Sequence, residues 1–288
     1  MEPMTTSSSL SAFAKTFTSA FAILSVTLIA LPNSVAASDT RPNPLSSEGS
    51  WSDLKEDILG DLQPILSDGS LDLEAPYRAH DAATVPVVLK QSSPLAPMID
   101  KALLIVDENP APVAAEMTFG PAMHPINMEM RIRVNQYSNV RLVAETETGP
   151  VMAGRFVKAS GGCSAPATKD PEVALSTMGE IRAKSFGPQA GDSSQRREAQ
   201  IMIRHPNYSG LQRDQVTHLF INAHFINHVE VKQGDQTLFT VEGGISLSEN
   251  PVFRFAYTDD GSKDFVISAE DTEGNTWRKV IAKDGSSS

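Results

Sequence analysis

Over most of its length the chain alternates apolar and polar residues with a period of two. Residues 127–134 show this most clearly. Met128, Met130, Ile132 and Val134 fall on one face and Glu129, Arg131 and Arg133 on the other, the pattern of a half-buried strand. Residues 85–90, 101–107, 113–119, 139–147 and 151–158 read as further strands, and Pro86 places the first of them near an edge or a start. Turn residues separate them at 92–97, at Asn109-Pro110-Ala111-Pro112 and at Gly149-Pro150. Short strands at this spacing predict an antiparallel sandwich. A second series follows at 199–204, 216–223, 228–233, 236–241, 252–257, 264–269 and 276–281. Its turns are Gly234-Asp235, Gly261-Ser262 and Glu273-Gly274-Asn275, and it predicts a second small sandwich.

Helical periodicity is confined to two places. Trp51, Leu54, Ile58 and Leu62 share one face of a helix that Gly60 and Pro64 keep short. Val173, Met178 and Ile181 give residues 170–183 a modest helical pattern, and residues 187–195 are polar and glycine-rich, the composition of a flexible linker. At the start of the chain an apolar run, residues 21–31, follows Lys15 and ends at Pro32 and the small residues Ser34-Val35-Ala36-Ala37. This is the pattern of a secretory signal peptide cleaved after Ala36 or Ala37. The run is shorter than the roughly 20 apolar residues of a membrane span, and no later stretch is apolar enough to be one. The expected organisation is a signal peptide at 1–37, a β-sandwich at 51–168, a helical and flexible linker at 169–197 and a second sandwich at 198–283.

Composition adds little except through charge. The chain has 288 residues and a net charge of −11. Such a surface repels phosphate backbones, so nucleic acid is not expected as a partner. The single cysteine changes the picture more. Exported proteins usually carry cysteines in pairs, and an odd one points to an intermolecular bond or a free reactive thiol. Cys163 lies in Ser160-Gly161-Gly162-Cys163-Ser164-Ala165-Pro166, where nothing bulky surrounds it. That context argues against an inert core cysteine. It predicts a thiol on a pliable arm, with Gly161 and Gly162 supplying the freedom, presented to something outside the chain.

Other chemistry is sparse. No phosphate-binding glycine loop, cysteine-pair metal site or His-Glu-x-x-His sequence occurs. The six histidines are His80, His124, His205, His218, His224 and His228. On a strand, His224 and His228 would face the same way about 13 Å apart, too far for one metal, so no metal site and no cofactor are expected. A Cys–His enzyme needs a histidine held within hydrogen-bond reach of the thiol. A cysteine on two glycines is poorly held for that, and the residues point to no catalytic group.

The chain resembles the two subunits of the SoxYZ sulfur-compound carrier joined in one polypeptide. The SoxY resemblance rests on Thr84-Val85-Pro86-Val87-Val88, Ile105-Val106-Asp107-Glu108-Asn109-Pro110, the strand at 128–134, residues 139–145 and Gly161-Gly162-Cys163. The SoxZ resemblance rests on Ile203-Arg204-His205-Pro206, Ala223-His224-Phe225-Ile226, Ser248-Glu249-Asn250-Pro251 and Phe253-Arg254-Phe255. The resemblance implies a mainly β protein of two immunoglobulin-like antiparallel sandwiches that pair, within one chain or between chains. It implies a periplasmic carrier, not an enzyme, with Cys163 holding a sulfur intermediate covalently. The implied partners are periplasmic sulfur-oxidising enzymes, with c-type cytochrome and hydrolase components, or a quinoprotein dehydrogenase system, with which fused proteins of this kind are associated. Relatives end in Gly-Gly-Cys-Gly-Gly, whereas here the chain runs on through Ser164-Ala165-Pro166, which shortens the reach of the arm. A non-covalent scaffold for a periplasmic dehydrogenase is the alternative function.

Overall fold

The computed structural model describes residue 45 and residues 49–166, 171–187 and 195–283. The signal peptide, residues 188–194 of the linker and the Gly285-Ser286-Ser287-Ser288 end lie outside them. The chain opens with helix α1 (Trp51–Leu59), followed by β1 (Ile65–Leu66), β2 (Leu71–Glu74), β3 (Val85–Gln91), β4 (Ile99–Val106) and β5 (Val113–Phe119). A 3-10 turn at Pro121–Met123 leads to β6 (Asn127–Ile132), β7 (Ser138–Thr146) and β8 (Gly149–Val157). Beyond the cysteine come α2 (Pro171–Ser176), β9 (Ile181–Phe186), β10 (Arg196–Ile203), β11 (Ile226–Gln233), β12 (Gln236–Gly243), β13 (Val252–Thr258), β14 (Asp264–Asp271) and β15 (Thr276–Ala282).

These strands form two sheets, and each sheet runs through both halves of the sequence. The larger has the order β1-β8-β7-β4-β5-β12-β11-β14-β15, the smaller β2-β3-β6-β13-β10-β9. The halves join where β5 pairs antiparallel with β12, from Phe119 opposite Phe239 to Ala115 opposite Gly243, and where β6 pairs with β13 through Met128 opposite Phe255. The two sandwiches are therefore paired within one chain, edge to edge. Closing these edges covers backbone groups that would otherwise template aggregation.

Alternation is what places the core. Met128, Met130 and Ile132 of β6, Val85, Val87 and Leu89 of β3, and Phe253, Phe255 and Tyr257 of β13 all point between the sheets and are buried. Phe239 packs edge-on against Phe255 at 5.0 Å, and Phe255 continues to Tyr257 and Phe265. One hydrophobic cluster spans both halves. Pro86 sits where β3 has already left β2, whose pairing covers only Val88 to Gln91, so its missing N–H breaks no ladder bond.

Helix α1 covers the outer face of β4, β7 and β8 with Trp51 and Leu59 against Ile105, Val143 and Met152. Both faces of β7 are therefore buried, and its Arg141 is neutralised inside by Asp107 at 2.8 Å.

Three expectations need correction. The linker at 169–197 contains a strand: Ile181 to Phe186 pairs with β10, with Ile181 opposite Ile203 and buried. Ile181 fits a helical period, but alternation of Ile181 and Ala183 with Arg182 and Lys184 suits a sheet edge equally well, and β10 offers that edge. The helix in this region stops at Ser176. Residues 216–223 form no strand. They make a loop held by the Arg213–Phe220 bridge, with Val216, Leu219 and Phe220 exposed.

Candidate functional site

The site begins where β8 ends. The Lys158 N–H donates to the Tyr77 carbonyl, and the next turn is pinned to the end of β6: Gly161 N–H donates to Asn135 O at 2.8 Å and Gly162 N–H to Val134 O at 3.1 Å. Gly161 has φ +78°, a left-handed backbone that glycine adopts without cost. Gly162 serves differently. A Cβ there would lie 2.1 Å from the Ala82 carbonyl oxygen and 2.6 Å from that of Val134. The two glycines build a tight turn and a close backbone approach.

Cys163 follows, and its side chain is fully buried. The expectation of an outward thiol on a pliable arm is thus overturned in this structure. The backbone of the cysteine turn is held from the second half of the chain. Ser209 Oγ donates to the Cys163 carbonyl and Gln212 Nε2 to that of Ala165 at 3.1 Å. Asn207, Tyr208, Ser209 and Gln212 are themselves buried, so residues 207–212 form a cover over the cysteine turn.

Arg133 ties cover and turn together. Its Nη1 donates to the Gly162 carbonyl and its Nη2 to the Asn207 carbonyl, both at 3.2 Å. The strand pattern places Arg133 on the polar face beside Glu129 and Arg131, but β6 stops at Ile132 and Arg133 is only 1% exposed. Burial pushes the Cys163 thiol up to about 11, and the Arg133 charge acts against that shift. Burial likewise pulls the Arg133 guanidinium down from its ordinary value. Among the described residues no histidine is hydrogen-bonded to the thiol, so the Cys–His pair of a thiol enzyme is not assembled here.

Behind the cover lies a second polar cluster, His205, His224 and Asp271, whose ligand atoms all fall within 4.8 Å of one another. The two rings meet edge to face at 4.8 Å between centroids. Asp271 Oδ2 accepts from His224 Nε2 at 2.7 Å and Asn275 Nδ2 at 2.9 Å, and Oδ1 accepts from two backbone N–H groups. Burial pushes Asp271 upward, yet the hydrogen bonds from Asn275 and His224 outweigh it and leave the carboxyl at about 2. His205 Nδ1 accepts the Asn207 N–H at 3.0 Å, which puts the ring proton on Nε2, facing Asp271. Burial, with His224 adding to it, holds His205 down at about 4. A protonated Nε2 is a donor and not a metal ligand, so the cluster works as a hydrogen-bonded anchor for the cover.

His228 lies apart and pairs with Glu242. Sequence reading missed this cluster because its members lie on separate segments that the second sandwich brings together. A hollow of about 210 Å³ beside β1 and β8, lined by Ile65, Leu66 and Ile99 among others, shares no residue with the cysteine turn.

The family model "Sulfur oxidation protein SoxY" matches residues 55–163, ending on the cysteine, and "Sulphur oxidation protein SoxZ" matches residues 185–282. The chain is a SoxY domain followed by a SoxZ domain. It thus belongs to the SoxY/SoxZ carriers of sulfur oxidation, which are not catalytic, and the joints between β5 and β12 and between β6 and β13 are its SoxY–SoxZ pairing. Among solved structures, the sulfur carrier protein SoxY from Chlorobium limicola f thiosulfatophilum matches with 24% identity over 38% of this chain and 91% of its own, at a TM-score of 0.33. No curated protein matches. The cover over Cys163 therefore comes from the SoxZ domain, and the turn beneath it from the SoxY domain.

Proposed function

We propose that this protein is an exported carrier that holds a sulfur-containing group covalently on Cys163 and presents it to partner enzymes in the periplasm. One observation supports this reading above the others. The only thiol of the chain closes the SoxY match and lies where the SoxZ domain can cover or release it. The cover meets the cysteine turn through few side-chain bonds, from Ser209, Gln212 and Arg133, while Asn207 is held in its own domain by His205, Ser248 and Ile226. Local opening of such a segment costs less than global unfolding. Covered, the thiol is protonated and shielded; uncovered, it gains water and becomes a nucleophile. The exposed Val216, Leu219 and Phe220 of the adjoining loop give a partner an apolar handle on the segment.

The partners are periplasmic sulfur-oxidising enzymes, c-type cytochrome and hydrolase components among them, or a quinoprotein dehydrogenase system. Intact mass spectrometry of the protein taken from its native periplasm tests the assignment. An added mass located on Cys163 is expected. Unmodified thiol under sulfur-oxidising and alcohol-growth conditions alike, with Cys163→Ser behaving as wild type, would reject it.

The complete burial of Cys163 favours a second reading, a non-covalent scaffold for a periplasmic dehydrogenase. Affinity capture with wild type and Cys163→Ser separates the two. A scaffold captures its partner equally with both, whereas a carrier's exchange with its enzymes depends on the thiol.

A further inference from the structure

The cover over the cysteine turn is anchored from behind by a titratable ring. His205 is only 1% exposed, and both of its nitrogens are engaged. Nε2 faces Asp271 Oδ2 at 3.4 Å, and Nδ1 accepts the Asn207 N–H at 3.0 Å. A neutral ring so placed carries its proton on Nε2 and its free lone pair on Nδ1. That lone pair is the one position where a second proton can add, and the cover's own N–H fills it. The same cover reaches the thiol residue: Arg133 donates to the Asn207 carbonyl, and Ser209 Oγ donates to the Cys163 carbonyl.

A proton on Nδ1 sets a donor against a donor. The Asn207 N–H then loses its acceptor, and the segment keeps its place only with a buried N–H unpaired. Asp271, which also accepts from His224 and Asn275, favours charge on the His205 ring. The His224 ring, edge to face at 4.8 Å, opposes it, and Trp277 of β15 meets the ring at 6.0 Å. Other charges act on the neighbours: Glu273 faces His224 Nδ1 at 3.7 Å, Arg133 holds the Asn207 carbonyl, and Arg204 and Glu249 flank His205 and Asn250 in sequence. A proton added to His224 Nδ1 meets Glu273 and breaks no bond of the cover.

We infer that His205 is a pH-operated latch on the cysteine site: acid protonates Nδ1, releases Asn207 and lifts residues 207–212, so that Cys163 is uncovered in acid and covered near neutrality. The latch governs access to the thiol and not what the thiol carries. In the covered state burial, with His224 adding to it, holds His205 down at about 4. Once the cover lifts, the ring meets water and returns towards its ordinary 6.5. Opening therefore takes up a proton below about pH 6.5, and the open fraction grows close to tenfold per pH unit until the covered ring titrates as well.

The test labels Cys163 of the purified mature chain with 4,4′-dithiodipyridine. The thiol sulfur attacks one sulfur of the reagent, the reagent's S–S bond breaks, and 4-thiopyridone leaves with the electron pair and takes up the thiol proton; its absorbance gives the rate. The chain has one cysteine, so every event reports Cys163. Each native rate is divided by that of the same chain unfolded in urea at the same pH, which removes the thiol's own titration. In the wild type this ratio is expected to rise about 30-fold from about pH 8 to pH 5 and to change little on adding about 1 M urea, because local opening exposes little surface. His205→Asn, whose side-chain oxygen accepts the Asn207 N–H and does not titrate, flattens the rise, and His224→Gln keeps it.

A flat wild-type ratio overturns the inference. So does a rise that persists in His205→Asn, one that is lost only in His224→Gln, or one that grows with urea as steeply as global unfolding. His205→Gln, which keeps a neutral donor towards Asp271, takes the place of His205→Asn where that variant does not fold. Because the labelling does not depend on what Cys163 carries, failure here leaves the carrier reading to its own test, the adduct found in the native periplasm.

Discussion

Replacing Gly162 by alanine separates a pliable arm from the packed turn described above. The added Cβ meets the Ala82 carbonyl oxygen at 2.1 Å and the Val134 oxygen at 2.6 Å, where ordinary contact needs more than 3 Å. Neither oxygen can swing away, because both belong to the backbone and both are engaged: Ala82 O accepts from Val134 N–H, and Val134 O from Gly162 N–H. The backbone must shift by roughly an ångström, an overpacking cost of about 1–3 kcal/mol. It also weakens the Gly162 N–H bond and the Arg133 bond to the Gly162 carbonyl, at about 1 kcal/mol each. The expected loss is about 3–5 kcal/mol, a fall in midpoint of about 6–15 °C for a chain of this size. Gly161→Ala is milder, about 1–2 kcal/mol, because only its φ of +78° opposes a side chain and the nearest atom to its Cβ is 3.9 Å away. Urea and thermal unfolding of the mature protein give the two values, and iodoacetamide labelling followed by mass spectrometry reports whether Cys163 has been uncovered. Labelling of Gly162→Ala should be faster than of wild type. A Gly162→Ala protein within about 0.5 kcal/mol of wild type, with unchanged labelling, would refute the packed turn.

Further outcomes follow from the same contacts. With its thiol raised to about 11, native Cys163 should label about tenfold faster per pH unit from pH 7 to 10. The unfolded chain ionises first, so stability falls as pH rises from 9 towards 11, by up to about 3 kcal/mol, and Cys163→Ser flattens that fall. His205, held down at about 4, stays neutral in the fold while the unfolded chain takes up its proton. Its share of stability is complete above pH 6.5 and is lost as pH falls towards 4, which urea titrations of wild type and His205→Asn at several pH values will show. Asp107→Ala leaves Arg141 buried without its carboxylate and should cost about 3–5 kcal/mol in equilibrium unfolding.

Much of the fold is legible from local pattern. Strands such as 127–134 and 252–257 declare themselves because a strand with one face on the core must alternate. Helix α1 does so because its stripe of Trp51, Leu54 and Ile58 faces one sheet. The failures share a cause. Ile181 fits both a helical and an alternating pattern, and pairing with β10 selected the second. Residues 216–223 are apolar enough for a strand, yet no neighbouring edge receives them. Arg133 continues an alternation that ends one residue before it, because there the chain leaves the ladder and passes under the SoxZ domain.

Sequence alone determined the mainly β architecture, the SoxY and SoxZ order and the singular thiol behind two glycines. The architecture follows from local periodicity, the thiol from residue identity, and the domain order from the resemblance to SoxY and SoxZ. It suggested that the glycines free that thiol and turn it outward. Tertiary structure decided otherwise: Gly161 sets the turn, Gly162 lets the Ala82 and Val134 carbonyls approach, Ser209 and Gln212 hold the carbonyls of the turn, and the cysteine is buried. The side chains that hold the Cys163 and Ala165 carbonyls lie more than 40 positions along the chain. No property of a segment read by itself fixes which distant segment will cover it.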